Sequence, residues 1–123
     1  VRILLVDDEQ DLVSALAERL SFRGIEAHWA TSAQQALEMA GETDYEMAVL
    51  DVKMPRMSGI ELRERLSEMH PDMRFVFVTG HGSEEDYRAG MHHGDCYLIK
   101  PVRLEDLLEA INKPSQCPTQ KGM

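Results

Sequence analysis

Hydrophobic positions along the chain alternate between two periods. Arg2-Ile3-Leu4-Leu5-Val6 is a continuous apolar, β-branched run, which predicts a strand buried on both faces, as parallel sheets require. Leu12, Val13, Leu16, Ala17 and Leu20 then recur at helical spacing, and Gly24 closes that helix. Ile25 to Ala30 is a second, weaker strand. Thr31 or Ser32 caps a helix carrying Ala33, Ala36, Leu37 and Ala40 on one face, with Gly41 as its predicted end. Met47 to Leu50 is a third strand that stops at Asp51, followed by a loop with Pro55 and Gly59. Ser58 and Glu61 have capping-box spacing and open a helix through Leu62, Leu66 and Met69, which Pro71 stops. Phe75 to Val78 is a fourth strand, ending at Thr79-Gly80. Residues 83–93 give the weakest helix, with only Tyr87, Gly90 and Met91 as an apolar face. Cys96 to Ile99 is a fifth strand, ending at Lys100-Pro101, and Leu104, Leu107, Leu108 and Ile111 mark a last amphipathic helix.

Five strands alternating with five helices through short loops predict an α/β domain, a doubly wound parallel sheet with helices on both faces. That domain is expected over residues 1–112, with 113–123, polar and holding two prolines, as a linker or disordered tail. A chain of 123 residues, 43% apolar and 28% charged, is an ordinary globular composition with room for one core-bearing domain. The chain enters its first strand directly at Val1, as a trimmed or excised domain would. There is no signal-peptide pattern and no apolar run of membrane-spanning length. A net charge of −9 argues against direct nucleic-acid or membrane binding by this segment. Cys96 and Cys117 have no metal or redox spacing. Cys96 reads as a small buried hydrophobe, and a reducing cytoplasm as the expected compartment.

The strand ends carry the chemistry. An aspartate after a strand is by itself a turn residue. Here, however, the strands end in order at Asp7-Asp8, Asp51, Thr79 and Lys100, and in a doubly wound parallel sheet these ends open on one edge. Three carboxylates, a hydroxyl and an ammonium would gather there. Close carboxylates raise one another's pKa unless a cation intervenes, and a small all-oxygen ligand set suits Mg²⁺. A carboxylate beside that ion has the chemistry of a nucleophile toward phosphorus, with Lys100 neutralising phosphoryl oxygens and Thr79 donating a hydrogen bond.

Over about residues 1–112 the chain resembles the receiver domain of two-component response regulators. The matching features are Asp7-Asp8 after strand one, Asp51 with Met54-Pro55-x-x-x-Gly59, Thr79-Gly80 after strand four, and Tyr97-x-x-Lys100-Pro101. The resemblance implies a flavodoxin-like strand order, 2-1-3-4-5, and a signalling switch rather than an enzyme acting on an external metabolite. It implies that Asp51 accepts a phosphoryl group from a sensor histidine kinase, a phosphotransfer protein or acetyl phosphate. Asp8 would bind Mg²⁺ directly, Asp7 would assist, and the Lys53 backbone carbonyl would be a further ligand. Thr79 and Lys100 would hold the phosphoryl oxygens, the peptide before Pro101 would be cis, and Tyr97 would be the switch aromatic. Lys53 and His81 occupy the positions that tune water access to the acyl phosphate, with the direction of their effect left open. An output domain and a homodimer formed on phosphorylation are further implied partners. Gly80-His81-Gly82 resembles receivers attached to ATPase-type activators or hybrid kinases. Asp95 departs from the family's usual alanine.

Other readings compete. A receiver-like interaction module not regulated by phosphorylation would be expected to have lost Asp51, the acid pair or Lys100, and all are present. A dehalogenase-type phosphotransferase expects an acid two residues after its nucleophile, where this chain has Lys53. A flavodoxin expects phosphate-binding Ser, Thr and Gly in the first loop, where this chain has acids. Tyr97 taken alone reads as core, although the resemblance favours its switch role; Trp29 reads as a packing residue, the methionines as core fillers, and the five histidines as surface groups without metal spacing.

Overall fold

A computed structural model describes residues 2–80 and 96–112. Among these, strands β1 (Arg2–Val6), β2 (Glu26–Ala30), β3 (Met47–Asp51), β4 (Arg74–Thr79) and β5 (Cys96–Ile99) alternate with helices α1 (Gln10–Ser21), α2 (Ala33–Glu42), α3 (Gly59–Met69) and α4 (Leu104–Asn112). All strand pairs are parallel and the order is β2-β1-β3-β4-β5, the predicted flavodoxin-like arrangement. The helix expected over 83–93 lies outside the described residues, as do His81, Asp95 and the tail from 113.

Alternation along the strands divides the apolar side chains between two cores. Leu4, Val6, Ala48, Leu50, Phe75 and Phe77 face α2 and α3, where Ala36, Ala40, Leu62 and Leu66 meet them. Ile3, Leu5, Val49, Val76, Val78 and Leu98 face α1 and α4, meeting Val13, Leu20, Leu107 and Ile111. The continuous apolar runs of the inner strands follow from this, since both faces of the sheet are covered.

Local signals set most boundaries. The Ser32 hydroxyl accepts from the Gln35 N–H at 3.1 Å, and the Ser58 hydroxyl accepts from the Glu61 N–H at 3.1 Å. Gly24, at φ +80°, turns the chain out of α1. Gly41 does not end α2, because only Gly24 among the described glycines has positive φ, and the helix runs on to Glu42 with Thr43 as its cap. His28 and His70 are half-buried connectors rather than surface groups. His28 Nδ1 lies 2.6 Å from the hydroxyl of buried Tyr45, and His70 Nε2 lies 2.8 Å from the Ala40 carbonyl. Cys96 is buried as expected, but it is disulfide-bonded rather than a free thiol. That removes the support a free thiol would lend to a reducing compartment.

Candidate functional site

Strand register brings the site together. Val6 pairs with Leu50, so Asp7, one residue on, lies beside Asp51; Asp51 pairs with Val78, and Thr79 pairs with Ile99, one residue before Lys100. Two further backbone bonds hold these ends in line, from Asp7 N–H to the Ala30 carbonyl at 3.1 Å and from Val52 N–H to the Val78 carbonyl at 3.0 Å. The Lys100–Pro101 peptide is cis.

Asp7 and Asp51 are the buried acids of this edge, at 7% and 5% exposure, while Asp8 is exposed. Oxygen atoms of Asp7, Asp8 and Asp51 all lie within 4.8 Å of one another. Lys100 Nζ is 3.1 Å from Asp7 Oδ2, 3.2 Å from Glu9 Oε1 and 3.3 Å from Asp51 Oδ2. The remaining oxygens accept from the backbone: Asp7 Oδ1 from Glu9 N–H at 2.9 Å, and Asp51 Oδ1 from Lys53 N–H at 3.3 Å.

This crowding moves the protons. Burial, then the neighbouring charge of Asp7, pushes the Asp51 carboxyl up to about 6, against the opposing pull of Lys100 and the Lys53 N–H. Burial also raises Asp7, although the Glu9 N–H and Lys100 oppose it. Lys100 behaves oppositely. Burial alone would lower its pKa, but its bonds to Asp7 and Glu9 and the charges of Asp51 and Asp7 hold it above the ordinary lysine value. Two buried carboxyls held reluctant to ionise, beside a third, form an all-oxygen donor set that a hard divalent cation would relieve.

The loop after Asp51 is shaped around the strand end. A Cβ on Gly59 would lie 2.1 Å from the Asp51 carbonyl oxygen, so α3 starts closer to β3 than any side chain permits. Gly59 N–H donates to the Val52 carbonyl at 2.9 Å, and Arg56 takes a left-handed φ of +73° to complete the turn.

Of the residues singled out from sequence, Asp7, Asp8, Asp51 and Lys100 converge, and the Lys53 amide joins them while its side chain is exposed. Thr79 ends β4 beside β5. Tyr97 is half-buried against the core that contains Phe77, and Pro101 is exposed. Glu9 was missed. It is visible as the third acid of the first loop, but its partner is 91 residues away.

A parallel sheet in this order, with acids and one lysine at its carboxyl edge, defines a flavodoxin-like α/β domain with an aspartate cluster. Residues 3–112 match the response regulator receiver domain, and the chain belongs to that family of signalling domains. It is 38% identical over 112 residues to the response regulator MprA of Mycobacterium leprae (strain TN), covering 90% of this chain and 49% of that protein. The chain thus spans about half the length of the curated relatives it matches. Among solved structures, a response regulator receiver domain protein from Clostridium thermocellum superposes with a TM-score of 0.85 at 30% identity, covering 94% of each chain. A response regulator from Burkholderia pseudomallei, solved with a phosphorylated aspartic acid, a calcium ion and citrate, superposes with a TM-score of 0.82 at 29% identity, covering 93% of this chain and 68% of that one.

Proposed function

We propose that this domain is a phosphorylation-dependent switch of a two-component system, with Asp51 as the phosphoacceptor. The observation that carries the reading is a buried Asp51 between a carboxylate cluster and the Lys100 ammonium. An Asp51 carboxylate oxygen forms a bond to phosphorus while the donor's bond to phosphorus breaks, and the leaving group departs with that electron pair. From acetyl phosphate the leaving group is acetate; from a kinase phosphohistidine it is the imidazole. Asp7, Asp8 and Asp51, with the Lys53 carbonyl, would hold Mg²⁺, which when bound supplies charge neutralisation for the phosphoryl oxygens. Lys100 offsets charge on those oxygens, and Thr79 keeps the hydrogen-bonding role that the family resemblance gives it. The phosphorylated aspartate and calcium of the Burkholderia relative support the same pairing of acyl phosphate and divalent cation.

The proposed partners are a sensor histidine kinase or phosphotransfer protein as donor, and an output domain or second copy of the chain as receiver of the signal. Tyr97, with the Lys100–Pro101 turn, carries the change outward, and Lys53 and His81 set the acyl-phosphate lifetime. The proposed setting is the cytoplasm, although the Cys96 disulfide favours an oxidising compartment. Among the described residues, no helix is long and apolar enough to cross a membrane.

The test is incubation with acetyl phosphate and Mg²⁺, followed by intact mass. One added phosphoryl group is expected, absent in Asp51→Asn and in the presence of a chelator. An adduct that persists in Asp51→Asn would identify a different nucleophile.

A further inference from the structure

We propose that Glu9 is a latch on Lys100, holding its ammonium in the unphosphorylated state and releasing it when a phosphoryl group arrives on Asp51. The inference rests on the aspartyl-phosphate reading above.

A lysine ammonium has three N–H donors, and Asp7, Glu9 and Asp51 occupy all three at 3.1, 3.2 and 3.3 Å. A phosphoryl oxygen can therefore be served only if one acceptor lets go. Asp7 is poorly placed to do so. It is buried, and its second oxygen is tied to the Glu9 N–H. Asp51 carries the phosphoryl group and stays beside Lys100. The Glu9 side chain is 63% exposed, so water can solvate its carboxylate once it is released. An ion pair that exposed is weak enough to break readily.

The position of Glu9 adds a second, independent observation. It is the N-cap residue of α1, yet its side chain makes no capping hydrogen bond. The carboxylate reaches across to the end of β5 instead. Nor does it belong to the Asp7, Asp8 and Asp51 cluster that could hold a metal ion. Among the described residues, its one polar contact in the site is Lys100, and that contact opposes the rearrangement phosphorylation requires.

Two variants separate a latch from simple charge repulsion. Glu9→Gln keeps the length and removes the charge. Glu9→Asp keeps the charge but is one methylene shorter, and an aspartate here would turn to cap α1. Both should bind beryllofluoride with Mg²⁺ about two- to fivefold more tightly by calorimetry, the range expected for loss of an exposed ion pair. Both should also gain phosphoryl mass from subsaturating acetyl phosphate correspondingly faster. In the metal-free protein, both should speed acylation of Lys100 by an amine reagent, read by peptide mass mapping. If Glu9→Asp behaves like the unaltered protein while Glu9→Gln binds more tightly, charge alone is responsible and the latch is overturned. Unchanged behaviour of both variants overturns it as well. If the unaltered protein itself gains no phosphoryl mass, the aspartyl-phosphate reading fails, an outcome distinct from either of these.

Discussion

Asp51 is held buried at the end of β3 against its own charge. Its folded value of about 6 lies above the ordinary 3.8, so the folded protein binds this proton more tightly than the unfolded chain does. The resulting stabilisation is fully present below about pH 3.8 and is lost as pH rises through about 6. In urea unfolding without metal at pH 7.5, Asp51→Asn should therefore be more stable than the unaltered protein by about 2–3 kcal/mol. That difference should shrink toward pH 4. A pH-independent difference would mean that packing, not ionisation, sets it. At this scale the sequence shows Asp7, Asp8, Asp51 and Lys100 because each follows a short apolar run, and the end of a strand is easy to see. It hides Glu9, because nothing local records a carboxylate turning from its own helix to a lysine on another strand. It hides the roles of His28 and His70 for the same reason, since both are fixed by partners distant along the chain.

Helix starts are where elements and site meet. Ser32 and Ser58 each satisfy one N–H of the helix they open, and replacing either with alanine should cost about 1 kcal/mol in chemical denaturation. The two should differ in function. Ser58→Ala loosens the start of α3, which abuts Asp51, and should slow phosphoryl uptake severalfold, whereas Ser32→Ala should leave uptake within about twofold. Equal effects on uptake would place the loss in global stability rather than in the loop. Gly59→Ala is more severe, because the clash is with the Asp51 backbone, which no side-chain rotation relieves. It should destabilise by about 1–3 kcal/mol and reduce phosphoryl uptake together. Caps are legible because a hydroxyl before an apolar periodicity has few other uses. Glycine is more ambiguous: Gly24 and Gly41 read alike as helix ends, and only Gly24 takes the left-handed conformation that stops a helix.

Among the described residues, one sheet separates two hydrophobic compartments. Leu66 belongs to the core against α2 and α3, and Leu107 to the core against α1 and α4. Each is fully buried. Leu66→Ala and Leu107→Ala should each cost about 2–5 kcal/mol. Because the two share no core cluster, the double variant should lose the sum to within about 0.5 kcal/mol. A shortfall beyond that would show the sheet passing strain from one face to the other. Alternation of strand and helix patterns makes this two-sided class legible. The strand order is not written in the periodicity; it comes with the family resemblance, since register is set by contacts between segments far apart in the chain. The close approach of Gly59 to Asp51 also has a mechanical meaning. On the proposed reading of Asp51, it would work as an anvil, so that the β3–α3 wall does not yield to a group added in front of it. On that reading, displacement would travel the other way, toward β4 and β5, where half-buried Tyr97 packs against the core.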